Sequence, residues 1–134
     1  MKISAKVENS FRSHDVELTT NGMTQQLNIP AKSSGYGSTV NGGELLFLAL
    51  ATCYCNDLYR EATKMNIVLT KVEVEASGEF GQAGEPGFNI TYKASVEGEA
   101  SDLVLQKLLE HTDRLAEVQN TLRVGVKVKR VEVS

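Results

Sequence analysis

Tryptophan is absent from this sequence, and cysteine, proline and histidine each occur only twice. A disulfide framework needs more cysteines, spread apart and in a secreted setting, whereas Cys53 and Cys55 have a single residue between them. With His14 and His111 as the only histidines, nitrogen ligands are too few for a structural zinc site, and neither a metal nor a cofactor is expected. Long apolar runs are missing: the longest, Leu45–Ala51, lies mid-chain and falls far short of the ~20 residues of a bilayer span. The opening residues, MKISAKVENSFRSHD, contain no apolar stretch of signal-peptide type. Positive charge is not in excess either. Against 14 Lys and Arg stand 17 Asp and Glu, a net charge of −3, with no basic stripe to neutralise phosphates. These absences exclude nucleic acid and membrane as partners, and the expectation is a cytoplasmic protein.

What is present suffices for one domain over residues 1–134: 41% of residues are hydrophobic and 23% charged. Ile3, Ala5 and Val7 alternate with polar residues, as in a half-buried strand. Val16–Thr20 and Met23–Ile29 flank Asn21-Gly22, a strong hairpin signal because both turn residues must take positive φ. Pro30 ends the second of these strands, and Ala31–Gly43 is a Ser- and Gly-rich loop. From Glu44 to about Met65 the pattern is helical, with a first half apolar on all sides and therefore expected to be buried. Ile67–Phe80 and Phe88–Val96 predict a long antiparallel hairpin with a bulge near Thr70–Lys71, where the inward set changes parity from Ile67 and Leu69 to Val72, Val74 and Ala76. Ser101 or Asp102 caps a second helix, and alternating valines from Val124 to Val133 predict a closing strand. The order is βββ-α-ββ-α-β, an α+β fold.

The chemistry turns on Cys53 and Cys55. Two positions apart on a helix, they point ~200° away from each other, so only one can face a given partner and a bond between them would have to break the helix. Both can be small buried hydrophobes. A reactive thiol instead needs a nearby cation or strong donor, and Arg12, His14 and Glu44 (through an arginine) are the candidates for that environment. Asp57, one turn beyond Cys53, would raise the thiol pKa if close. Tyr36 and Tyr54 either line a pocket or pack as aromatics. Asp57 and Glu61 read as an exposed helix face, and His111 as a solvated residue.

The segment Asn41–Asn56 (NGGELLFLALATCYCN) resembles the first-helix motif of the OsmC/Ohr family, in which a buried helix rich in Ala and Leu ends in Ala-Cys. AEVQNTL at Ala116–Leu122 resembles that family's second-cysteine segment, and the element order matches along the chain. The resemblance implies an OsmC-like fold: an intertwined homodimer whose antiparallel sheets wrap two central helices, with sites at the subunit interface. It also implies thiol-dependent reduction of small hydrophobic organic hydroperoxides, with Cys53 as nucleophile and Arg12 and Glu44 holding its thiolate. The sequence departs from the family pattern at several points. Ala116 occupies the resolving-cysteine position, Gly42 replaces a proline, Glu44 lies one residue late and Arg12 is about one residue out of register. An external thiol must then resolve a Cys53 sulfenic acid, with Cys55 as an accessory candidate. Two other readings stay open: a non-enzymatic binding or redox-responsive protein with an apolar interface pocket, and a scaffold whose cysteines only pack.

Overall fold

Asn21 and Gly22 take φ of 49° and 81°, the left-handed pair that a two-residue hairpin demands. They join strands β2 (Ser13–Thr20) and β3 (Met23–Gln26), with Thr20 opposite Met23. β1 (Ile3–Ser10) pairs antiparallel with the other edge of β2, Ile3 opposite Thr20 and Ser10 opposite Ser13, giving the sheet order β1-β2-β3. The computed structural model describes residues 1–133, and they form two units, Met1–Leu45 and the chain from Leu46 onward. In the first unit the Ser- and Gly-rich loop is tied to β1 by Asn9, whose side chain donates to Gly37 O and accepts from Gly37 N–H. The alternation of β1 is correct as a strand, but its apolar residues are not half-buried: Ile3 and Val7 are exposed.

Helix α1 (Gly42–Lys64) opens on a capping box. Asn41 Oδ1 accepts from the Glu44 N–H at 2.8 Å, and Glu44 Oε1 accepts from the Asn41 N–H at 3.0 Å, satisfying two otherwise free donors. Its buried residues are Leu50, Tyr54, Asp57, Leu58, Glu61 and Ala62, a single stripe at three- and four-residue spacing. The expectation of a buried first half is therefore reversed. A helix apolar on every side needs cover on every side, and Leu48 is left 57% exposed.

Asn66, at φ 56°, turns the chain off α1, and the Ile67 N–H bonds back to Ala62 O. The hairpin follows as β4 (Leu69–Glu79) and β5 (Phe88–Gly98), with the bulge where the change of parity predicts it, between Leu69 and Lys71. α2 (Asp102–Leu115) begins at Ser101, whose hydroxyl caps the Val104 N–H. Leu58 and Leu108 are fully buried at the centre of a core with Tyr54, Ala62, Ile67 and Ala116. Val72, Val74, Tyr92, Ala94 and Val96 from the hairpin pack against it, and each large apolar side chain buried contributes about 1.5–3 kcal/mol.

The last element departs from expectation. Helix α3 (Glu117–Val124) ends at Gly125 in the left-handed conformation, φ 67°. The valine-rich residues beyond it form no strand among the described residues. The fold is α+β with antiparallel sheets.

Candidate functional site

Cys53, Asp57, Arg60 and Glu61 recur at three- and four-residue spacing and so share one face of α1. Opposite them stands the first turn of α3, which starts immediately after the buried Ala116 and has no side-chain cap. This turn supplies Glu117 and a free backbone N–H at Val118, which points to the Cys53 sulfur.

The thiol faces two carboxylates. Cys53 Sγ lies 3.6 Å from Asp57 Oδ2 and 3.8 Å from Glu117 Oε2. The other oxygens of the same two groups are taken by one guanidinium nitrogen: Arg60 Nη1 is 3.1 Å from Asp57 Oδ1 and 3.3 Å from Glu117 Oε1. Arg60 Nε also donates to Glu61 Oε2 at 2.7 Å. The arginine thus sits behind the acids and neutralises them without touching sulfur. The sulfur and the two carboxylates lie within 4.8 Å of one another, a spacing that suits a divalent cation, but the guanidinium already provides the positive charge there.

These contacts set the protonation states. Burial pushes the Cys53 thiol above its ordinary value, and Asp57 and Glu117 push the same way against the Val118 N–H. Asp57 is raised by its own burial and by a hydrogen bond with Glu117, while Glu117 is lowered by its own backbone N–H and by that same bond with Asp57. Of the two carboxyls Asp57 is the stronger proton acceptor, and its charge at i+4 helps raise the Cys53 thiol, as the helical spacing implied.

Arg12, His14, Tyr36 and Glu44 belong to the first unit. Arg12 sits at φ 60° in the β1–β2 turn, its guanidinium over the Phe11 ring and its N–H on Gly35 O. Tyr36 packs against that same Phe11 ring, and His14 Nδ1 meets Asn9 Nδ2 at 2.9 Å. Glu44 is committed to the capping box. Cys55 is free and half-buried, two positions from Cys53 in unbroken helix. Tyr54 is a core residue, its hydroxyl donating to Leu109 O at 2.6 Å and its ring edge-on to Tyr92. Burial and the charge of Asp113 raise that phenol to about 12.

Two readings of α1 and α2 need correction. Asp57 and Glu61 do not form an exposed face: they are 6% and 3% exposed. His111 is not merely solvated, since its Nε2 lies 3.0 Å from Glu61 Oε1, while Glu61 Oε2 takes the ion pairs of Arg60 and Lys64. Arg60, Glu117 and Gln119 were not singled out from the sequence. The spacing Cys53–Asp57–Arg60 carried a signal for the first, and the alignment of Ala116 with a cysteine-bearing position carried one for the neighbouring Glu117. Gln119 gave none. It is buried, donates to Leu50 O at 2.9 Å and leaves its own oxygen without a partner among the described residues. It also borders a cavity of about 450 Å³ walled by Leu50, Ile90, Tyr92 and Leu122.

A cysteine on a long helix, met by the start of a second helical segment, thus sits within an α+β fold of antiparallel sheets. The OsmC-like protein profile matches residues 35–130, which spans both units, and the chain belongs to that family. Its fold is similar to that of an OsmC-like protein of unknown function from Vibrio cholerae, with a TM-score of 0.65 at 15% identity over 90% of this chain and 93% of that one. It is also similar to an organic hydroperoxide resistance protein from Legionella pneumophila (TM-score 0.61, 21% identity, 96% and 94% covered). A third similar structure is the organic hydroperoxide resistance protein of Bacillus subtilis (TM-score 0.54, 19% identity, 94% and 95% covered). Among curated proteins, none matches this sequence. No helix among the described residues is long and apolar enough to cross a membrane.

Proposed function

We propose that this protein is a cytoplasmic, homodimeric thiol peroxidase that reduces small hydrophobic organic hydroperoxides with one cysteine, Cys53. The observation that carries the reading is the setting of Cys53 Sγ: a half-buried thiol on α1, met by the Val118 N–H at the start of α3 and within 4 Å of two proton acceptors. Sulfur attacks the terminal peroxide oxygen, the S–O bond forms as O–O breaks, and the thiol proton ends on the departing alkoxide, giving Cys53 sulfenic acid and an alcohol. Ala116, next to Glu117, carries no sulfur, and Cys55 points away along continuous helix. A small-molecule thiol then condenses with the sulfenic acid, releasing water, and a second thiol frees Cys53 as the mixed disulfide is reduced. Arg12 and Glu44 belong to this proposal as the charged pair that a completed dimeric site brings to the thiol.

The test is consumption of cumene hydroperoxide with a monothiol in excess, together with trapping of sulfenic acid at Cys53. Cys53→Ser is expected to abolish both, while Cys55→Ser keeps most of the wild-type rate. A wild type that forms no sulfenic acid overturns the reading.

One observation favours a second reading, non-enzymatic binding of a small apolar ligand. The Gln119 oxygen has no partner among the described residues and lies at the edge of the cavity walled by Leu50, Ile90 and Leu122. In that case an apolar ligand binds with equal affinity to wild type and to Cys53→Ser, and hydroperoxide is not consumed.

A further inference from the structure

Arg60 pairs with three carboxylates at once. Its Nε donates to Glu61 Oε2 at 2.7 Å, and its Nη1 lies 3.1 Å from Asp57 Oδ1 and 3.3 Å from Glu117 Oε1. The two sides of this fork are anchored on different elements. Glu61 is held by His111 Nε2 of α2 at 3.0 Å and by Lys64 Nζ at 3.1 Å, while Glu117 opens α3. The guanidinium therefore joins α1 to the turn that carries the Val118 N–H. The second oxygens of Asp57 and Glu117, Oδ2 and Oε2, are the ones 3.6 and 3.8 Å from the Cys53 sulfur. Two carboxylates oppose a thiolate by like charge, and a cation bound to both offsets that repulsion.

Resting on the reading of Cys53 as the nucleophile, we infer that Arg60 is a positioning residue of this site: it clamps the start of α3 against α1 and offsets the two carboxylates that face the sulfur. Arg60 acts through Asp57 and Glu117. Arg12 and Glu44 keep the direct role proposed for them in the dimer, and the two contributions add. The charged groups around the thiol within its own unit are Asp57, Arg60, Glu61 and Lys64 on α1, His111 on α2 and Glu117 on α3. Arginine is required for the clamp because its planar fork spans several acceptors in fixed geometry. A lysine ammonium is a point charge on a flexible stem: it supplies the charge and loses the span. Charge and span can therefore be separated by experiment.

The alternative is that Arg60 only ties helices together and has no bearing on the thiol. Full-length wild type, Arg60→Met and Arg60→Lys are alkylated with iodoacetamide from pH 6 to 11, and Cys53 and Cys55 are followed separately by mass spectrometry. Cys55, on the same helix, reports whether α1 stays folded. Arg60→Met is expected to move the Cys53 midpoint up by about one pH unit, with the rate at Cys55 unchanged. Arg60→Lys restores much of that shift. Hydrogen exchange at the Asn120 amide, which bonds to Ala116 O at 2.9 Å in the first turn of α3, is faster in both variants. With cumene hydroperoxide and dimedone trapping, Arg60→Met forms Cys53 sulfenic acid several-fold more slowly at pH 7, because the smaller thiolate fraction is only partly offset by greater nucleophilicity. The deficit closes as pH rises. A Cys53 midpoint in Arg60→Met equal to or below that of wild type, with Cys55 unchanged, overturns the role of Arg60 and leaves the peroxidase reading standing. If Arg60→Met loosens α1 and speeds Cys55, Arg60→Lys decides: faster exchange at Asn120 supports the clamp, and exchange equal to wild type overturns it. A wild type that forms no sulfenic acid overturns both.

Discussion

Glu61 is the most heavily paired carboxylate on α1, and its contacts make a pH prediction at the scale of one residue. Hydrogen bonds from Arg60, His111 and Lys64, in that order of importance, lower it from an ordinary 4.5 to about 2. A carboxylate depressed in the folded state contributes stability above its unfolded pKa and loses it as pH falls toward the folded one. The contribution of Glu61 is therefore complete above about pH 4.5 and lost between there and about pH 2. Glu61→Gln is expected to lower the urea midpoint at pH 7, and the gap to wild type should shrink markedly at pH 3. An equal gap at both values would mean that charge is not what Glu61 contributes. Asp57, raised rather than lowered, changes in the opposite sense, but it does so in both proteins and leaves the comparison intact. At this scale the sequence was only partly legible. Cys53 and the effect of an acid at i+4 could be read from helical spacing. The burial of Asp57 and Glu61 could not, because nothing in the charge pattern of α1 says that His111 of α2 and Glu117 of α3 meet this face, or that Arg60 and Lys64 pair with the acids.

At the scale of elements, local chemistry was decisive wherever a turn or parity change fixed the backbone. Asn21-Gly22, Ser101 and the bulge before Lys71 all lie where the sequence predicts them. The bulge explains a constraint on Gly98. A Cβ there would lie 2.5 Å from Val68 O, the backbone carbonyl that accepts from the Glu99 N–H at 2.8 Å. Backbone cannot swing aside as a side-chain tip can, so Gly98→Ala must displace the bulge or break that bond. The expected cost is about 1–3 kcal/mol, read as a lower urea midpoint with an unchanged slope. A midpoint equal to that of wild type would show that the bulge adapts freely. Where an element depends on a partner instead of a turn, reading failed. Alternating valines after Gly125 carry the pattern of a strand, yet a strand exists only when another edge accepts its hydrogen bonds. The all-apolar first half of α1 carries the pattern of a buried helix, yet the chain alone leaves Leu48 exposed.

These two failures have the same form, and at the scale of the whole molecule they make one prediction. Ile3 and Val7 on β1, Leu48 on α1, and Val126, Val128, Val131 and Val133 beyond α3 are apolar, patterned for burial and exposed in the single chain. Monomeric proteins rarely leave so much patterned apolar surface in water, and an unpaired valine-rich segment carries free N–H and C=O groups suited to another strand edge. In the homodimer proposed above, a second copy of the chain would supply the missing cover. Light scattering behind size exclusion is expected to give twice 14.6 kDa, with the dimer persisting at low micromolar concentration, as obligate interfaces do. A stop codon after Gly125 removes the valines but leaves α3 and its left-handed cap in place. If these residues form a strand with the partner, the truncated protein shifts toward monomer and binds dyes that report exposed apolar surface. If wild type is a monodisperse 14.6 kDa species at tens of micromolar, these exposed residues do not meet a second copy, and a site completed by a second subunit has to be abandoned.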